Sequence, residues 1–108
     1  MRKYARKDTN QDEIVERWLK LPGTSFASIH TVGGGVPDGI FGVNGHTLVV
    51  EIKNPEYARV KGGPLADMSE DEVDFYMTWT GSLKVVYYYE DLLPFYFWAL
   101  TVAPLSVV

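Results

Sequence analysis

Asp38, Glu51 and Lys53 are the residues of this chain whose types and spacing could do chemistry together. They lie in Pro37–Lys53, PDGIFGVNGHTLVVEIK, where Asp38 opens one apolar run and Glu51 and Lys53 close the next. Asn44-Gly45, between the runs, is the preferred pair for a tight hairpin turn. Two strands, Gly39–Val43 and Thr47–Lys53, are therefore expected side by side. Side chains alternate along a strand, so Val49, Glu51 and Lys53 share one face and Leu48, Val50 and Ile52 the other. The hairpin then brings Asp38 beside Glu51, within reach of one metal ion. Two carboxylates that close repel each other unless a cation or proton lies between them. A hard divalent ion such as Mg²⁺, with oxygen ligands and bound waters, suits the pair. The backbone carbonyl of Ile52 offers a further ligand. Lys53 is placed to orient or help deprotonate an attacking water, or to stabilise charge on a phosphate. An isolated E-x-K is common, and read alone it is a pair of solvated strand-end charges, with Asp38 a turn residue after Pro37. The fuller pattern of glycine turn, Pro-Asp, hairpin, apolar run and E-x-K is more specific.

The flanking segments must position these groups. Asp8 or Asn10 can cap a helix running to about Lys20 and ended by Pro22-Gly23. Its apolar stripe is Ile14, Val15 and Trp18, and Gln11 falls on the same stripe. An inward-facing amide wants a partner, whereas Glu13 points away. Phe26–Thr31 reads as a short strand before Gly33-Gly34-Gly35, a turn open to close approach by a ligand. Asn54–Met68 is a long loop carrying Tyr57, Arg59 and Lys61, basic and aromatic groups able to grip a phosphate backbone. Ser69 and Glu72 have capping-box spacing, and the helix they open ends before Gly81. Ser82–Tyr89, rich in Val and Tyr, supplies another strand. The expected order is α-β-β-β-α-β, an α/β domain with helices on a mixed sheet.

The chain has 108 residues, one domain spanning 1–108, with 46% hydrophobic and 22% charged residues, an ordinary globular composition. With no cysteine, disulfides, thiolate zinc sites and thiol chemistry are excluded. Only His30 and His46 could be imidazole ligands, so a metal site must be mainly oxygen-based. His30 reads as a packed or hydrogen-bonded side chain close to the glycine turn, with a phosphate contact open to it. His46, beside the hairpin turn, reads as exposed. The net charge of −4 is uneven. Arg2, Lys3, Arg6 and Lys7 form a basic arm over residues 1–7, suited to phosphate contacts or simply solvated. Glu70–Asp74 reads as a solvated acidic helix face. Leu92–Val108 is uncharged and aromatic, and is expected to be buried against the body or a second subunit. Two prolines interrupt it, so no membrane span is expected. No signal peptide is evident, which makes the cytoplasm the default compartment.

The string GGGVPDGIFGVNGHTLVVEIKNP resembles the core of the PD-(D/E)XK nuclease superfamily. It is most similar to the small VRR-NUC and Holliday-junction-resolvase-like proteins common in phage genomes, for which the compartment would be the host cytoplasm. Their first helix resembles NQDEIVERWLKLPG, and their L-(T/S)-x-x-E helix start resembles Met68-Ser69-Glu70-Asp71-Glu72. Their aromatic-x-x-W-x-G segment resembles FYMTWTG. The resemblance covers about residues 8–91 and leaves the basic arm and the apolar tail unmatched. It implies a restriction-endonuclease-like core and a Mg²⁺- or Mn²⁺-dependent phosphodiesterase acting on DNA. Asp38 and Glu51 would be metal ligands and Lys53 the catalytic lysine. Some members add a glutamate on the first helix; that position falls at or near Gln11, with Glu13 as the fallback. The DNA contacts would come from Arg2, Lys3, Arg6, Lys7, His30, Arg59 and Lys61. The expected activity is structure-specific cleavage of junction or branched DNA by a two-fold homodimer joined through the apolar tail. The alternative is a nuclease-fold DNA-binding or assembly subunit that does not hydrolyse its substrate.

Overall fold

The computed structural model describes residues 9–56 and 68–104, and they form an α/β fold of three helices and a four-stranded mixed sheet. Helix α1 spans Thr9–Leu19, and strands β1 (Thr24–Ser28), β2 (Gly39–Val43) and β3 (His46–Ile52) follow it. Helix α2 spans Glu70–Thr78, strand β4 Leu83–Val86, and helix α3 Leu93–Thr101. The sheet order is β1-β2-β3-β4. The first two pairings are antiparallel and the third, reached through α2, is parallel.

The alternation along β3 sets the two faces of the sheet. Leu48, Val50 and Ile52 point into the core with Phe41 and Val43 of β2. Helices α1 and α3 cover that face through Ile14, Trp18, Tyr96 and Ala99. Trp18 is the hub. Its ring lies 5.4 Å from Phe41 and 5.8 Å from Tyr96, edge-on to both, and stacks at 6.0 Å on Phe95. Its indole N–H donates to the Ser25 carbonyl at 2.9 Å, so the one polar atom of this fully buried side chain is satisfied.

The hairpin turn forms as expected, with Asn44 and Gly45 both at positive φ, 52° and 80°. Four expectations are corrected. The first strand is Thr24–Ser28 rather than Phe26–Thr31, because residues 30–32 tighten into a 3-10 turn ahead of the glycines. The last strand stops at Val86. Beyond it the Asp91 carboxylate accepts from the Tyr87 and Tyr88 amides at 2.9 and 3.0 Å and turns the chain.

The third correction concerns the tail. Residues 93–101 are a third helix, which starts at Leu93-Pro94, where proline lacks only an amide that has no partner in the first turn. One face of it packs on the chain's own core through Tyr96 and Ala99, continuing Leu92. The other leaves Phe97 and Trp98 59% and 50% exposed. Asn44 Nδ2 donates to the Ala99 carbonyl at 2.7 Å, so the hairpin tip holds the end of α3. His46 is buried rather than exposed. Its Nε2 lies 3.1 Å from the Val102 carbonyl and its ring 4.7 Å from that of Trp98. No described helix is long and apolar enough to cross a membrane.

Candidate active site

The face of the sheet opposite the core carries the candidate site. Continuing the β2–β3 register one residue past Gly39↔Val50 sets Asp38 opposite Glu51. Asp38 is fixed in that place: its Oδ2 accepts the Ile52 amide at 2.6 Å and its own carbonyl accepts the Ile29 amide at 2.9 Å. Glu51 is 7% exposed. The three residues picked out in the sequence are thus brought together at one end of the hairpin.

The electrostatics follow from burial. Removal from water, then the charges of Asp38 and Glu72, push the Glu51 carboxyl up to about 8, against the pull of Lys53. Burial also raises Asp38, opposed by the Ile52 N–H and by Lys53. Lys53 Nζ lies 3.5 Å from Glu51 Oε2 and 3.2 Å from Glu72 Oε1. Among the described residues the Lys53 ammonium thus sits between the Glu51 and Glu72 carboxyls and also acts on Asp38 through its charge.

Glu72 was not among the expected site residues; its segment reads as a solvated acidic face. The structure turns it inward. Its Oε1 accepts the Ser69 amide at 3.1 Å while Ser69 Oγ accepts the Glu72 amide at 3.2 Å, a complete capping box. The box bends the carboxylate back over the start of α2, where Lys53 meets it. The sequence signal was the Ser69-x-x-Glu72 spacing itself. Gly35, at φ +83°, lets the glycine turn lie against the same helix start, since a Cβ there would overlap the Asp71 carbonyl. Glu51 and Glu72 share a small cleft with Gly35, Pro37, Met68, Phe75, Tyr76 and Leu83.

The first helix contributes differently from expectation. The amide that reaches the site's backbone is Asn10, whose Nδ2 donates to the carbonyls of Lys53 at 3.0 Å and Tyr87 at 3.3 Å. It ties α1 to the ends of β3 and β4. Gln11 is half-buried one residue further on and makes none of these contacts. Glu13 points outward to Arg17 at 3.3 Å, away from the site. His30 is exposed, with Nδ1 3.0 Å from Ser28 Oγ, and its charge acts weakly on Asp38. Arg2, Lys3, Arg6, Lys7, Tyr57, Arg59 and Lys61 lie outside the described residues.

No group of three or more His, Asp or Glu side chains among the described residues is gathered to hold a metal ion. The donors that fit one are two carboxylates, Asp38 and Glu51, both pushed towards their neutral forms by burial, with Glu72 adding to both and Asp38 adding to Glu51. Magnesium is commonly bound by one or two carboxylates, with waters and substrate phosphate completing its shell, so this donor set fits in kind. Comparison of the chain with protein-family models, with curated proteins and with solved structures returns no match.

Proposed function

We propose that this chain is a metal-dependent DNA nuclease of the PD-(D/E)XK kind, with a restriction-endonuclease-like core, hydrolysing phosphodiesters in junction or branched DNA. The observation that carries the reading is the pairing of half-buried Asp38 with buried Glu51 across the hairpin, with Lys53 one position along the same face. Burial of two like charges is unfavourable unless a cation offsets it. Asp38, Glu51 and the Ile52 carbonyl would hold Mg²⁺ or Mn²⁺, which would supply a positive charge against a phosphate oxygen. The Lys53 ammonium donates to the phosphate or to the attacking water, and Glu72 keeps it aimed there. Ile52 N–H holds Asp38 in one orientation through Oδ2 and leaves Oδ1 for the ligand role. Gln11 is left as a water-binding side chain at most.

Labelled junction, flap and linear DNA incubated with Mn²⁺ or with EDTA test this directly. Cleavage in Mn²⁺ that disappears in EDTA, and in Asp38→Ala, Glu51→Ala and Lys53→Ala, is expected. Wild-type cleavage by all three variants would overturn the site.

One observation favours the second reading, a nuclease-fold DNA-binding or assembly subunit: Lys53 already bridges Glu51 and Glu72 in a partly buried network. DNA binding without cleavage in either metal would select it. The two-fold homodimer is kept as part of the proposal but narrowed to the outward face of α3, since Tyr96 and Ala99 are spent on the chain's own core. Light scattering at micromolar concentration reads it, and a monomer defeats it.

A further inference from the structure

We propose that Trp79, with Phe75 and Tyr76, forms a stacking platform for one unpaired nucleobase beside the candidate active site. The inference rests on the nuclease reading for its ligand class. It goes further in naming the feature of the substrate that is selected.

Phe75 and Tyr76 line the same cleft as Glu51 and Glu72. Trp79 follows at the end of α2, four residues from Phe75, and the two rings stack at 5.2 Å with an interplanar angle of 15°. The platform thus runs outward from the carboxylates along one helix.

The indole is held before any ligand arrives. Its N–H donates to the Ser82 carbonyl at 3.3 Å, and its backbone N–H donates to Phe75 at 2.9 Å. Gly81 passes so close that a Cβ there would lie 2.9 Å from the indole nitrogen. Restrained on these sides, Trp79 is still 44% exposed, and Tyr76 beside it is 37% exposed. A pre-oriented aromatic face open to water binds a flat partner with little ordering to offset.

Charge decides which flat partner. Glu70, Asp71 and Asp74 are exposed on the same helix, so α2 offers no grip for a phosphate backbone. It can take the uncharged face of a base. Every base has such a face, so stacking is tolerant of sequence. A base inside a duplex already stacks on its neighbours and reaches an indole only after being extruded. The selected feature is therefore an unpaired base at a flap, end or junction, next to the phosphate to be cut.

Fluorescein-labelled single-stranded DNA and a blunt duplex of the same sequence are titrated in EDTA, where cleavage is off. The proteins are wild type, Trp79→Ala, Trp79→Phe and Tyr76→Ala. Trp79→Ala should weaken single-strand binding about tenfold with duplex binding unchanged. Trp79→Phe should retain most of the affinity, and Tyr76→Ala, at an exposed position, should lose part of it. Wild-type single-strand affinity in both alanine variants, equal losses on both DNAs, or a wild type that prefers the duplex would each overturn the platform. Adding Mn²⁺ to the same titrations separates the two readings. Single strands bound through Trp79, with labelled junction and flap DNA also never cut in Mn²⁺, would sink the nuclease assignment alone. Cutting by wild type, with Trp79→Ala binding single strands normally, would sink the platform alone.

Discussion

Lys53, at the end of β3, and Glu72, in the first turn of α2, meet with Nζ 3.2 Å from Oε1. The same carboxylate oxygen accepts the Ser69 amide, so one atom both closes a helix cap and anchors the proposed catalytic lysine. Any displacement of the helix start is felt at Lys53.

Glu72→Ala and Glu72→Gln should therefore separate. Alanine removes the cap acceptor and the lysine's anchor; it should destabilise the fold by about 1 kcal/mol and slow cleavage roughly tenfold or more. Glutamine keeps an oxygen for both donors and should lie near wild type in stability. Denaturant melts and single-turnover cleavage of the two variants check this, and equal stability of both would show that the Glu72 side chain does not stabilise the helix start.

The raised Glu51 carboxyl makes the stability of the metal-free protein depend on pH. Its value is about 8 in the fold against an ordinary 4.5, so the folded state holds the proton more tightly. Between those values the folded state binds more protons than the unfolded one, and stability falls as pH rises. The loss is on the order of a few kcal/mol. Glu51→Gln carries no proton to lose. The difference between wild type and this variant should vanish near pH 4 and favour the variant near pH 9. Urea melts in EDTA across that range measure it; parallel curves would show that Glu51 is not held in its neutral form.

Divalent ions should reverse that trend. A metal bound by the fold but not by the unfolded chain adds about 2.7 kcal/mol at a hundred times its Kd. For a domain this small that is a rise in Tm on the order of 10 °C. Wild type should gain it in Mg²⁺ or Mn²⁺ at neutral pH, while Asp38→Asn and Glu51→Gln should not. A wild-type Tm indifferent to millimolar metal would favour the non-catalytic reading.

The hairpin and the acid pair were legible in the sequence because both rest on local rules. Asn44-Gly45 fixes the turn, and strand alternation then places Asp38 and Glu51 without any knowledge of the rest. The capping box of α2 was legible for the same reason. What escaped depends on contacts distant in sequence. Helical spacing favoured Gln11 as the inward amide, yet Asn10 is the residue that reaches Lys53 and Tyr87, because the ends of β3 and β4 lie there. An apolar tail with two prolines gives no helical periodicity, so α3 was hidden until its own core and the Asn44 side chain supplied partners. His46 is buried where Trp98 of α3 and the Val102 carbonyl just past it lie against its ring.

That anchor yields the last prediction. Asn44 does two things: it adopts φ 52° for the turn, and its Nδ2 donates to Ala99 and, at 3.4 Å, to Val102. Glycine enters positive φ freely, so Asn44→Gly keeps the turn and deletes only the anchor. Alanine deletes the anchor and also resists the left-handed conformation, by about 1–2 kcal/mol. Losing the hydrogen bonds alone should destabilise the protein by about 1 kcal/mol, and Asn44→Ala should be worse by the conformational difference. Hydrogen exchange should show the amides at the end of α3, up to Val102, exchanging faster in Asn44→Gly, with those of β2 and β3 unchanged. If Asn44→Gly matched wild type in both stability and exchange, α3 would be held by Tyr96 and Ala99 packing and by His46, and the Asn44 side chain would serve the turn alone.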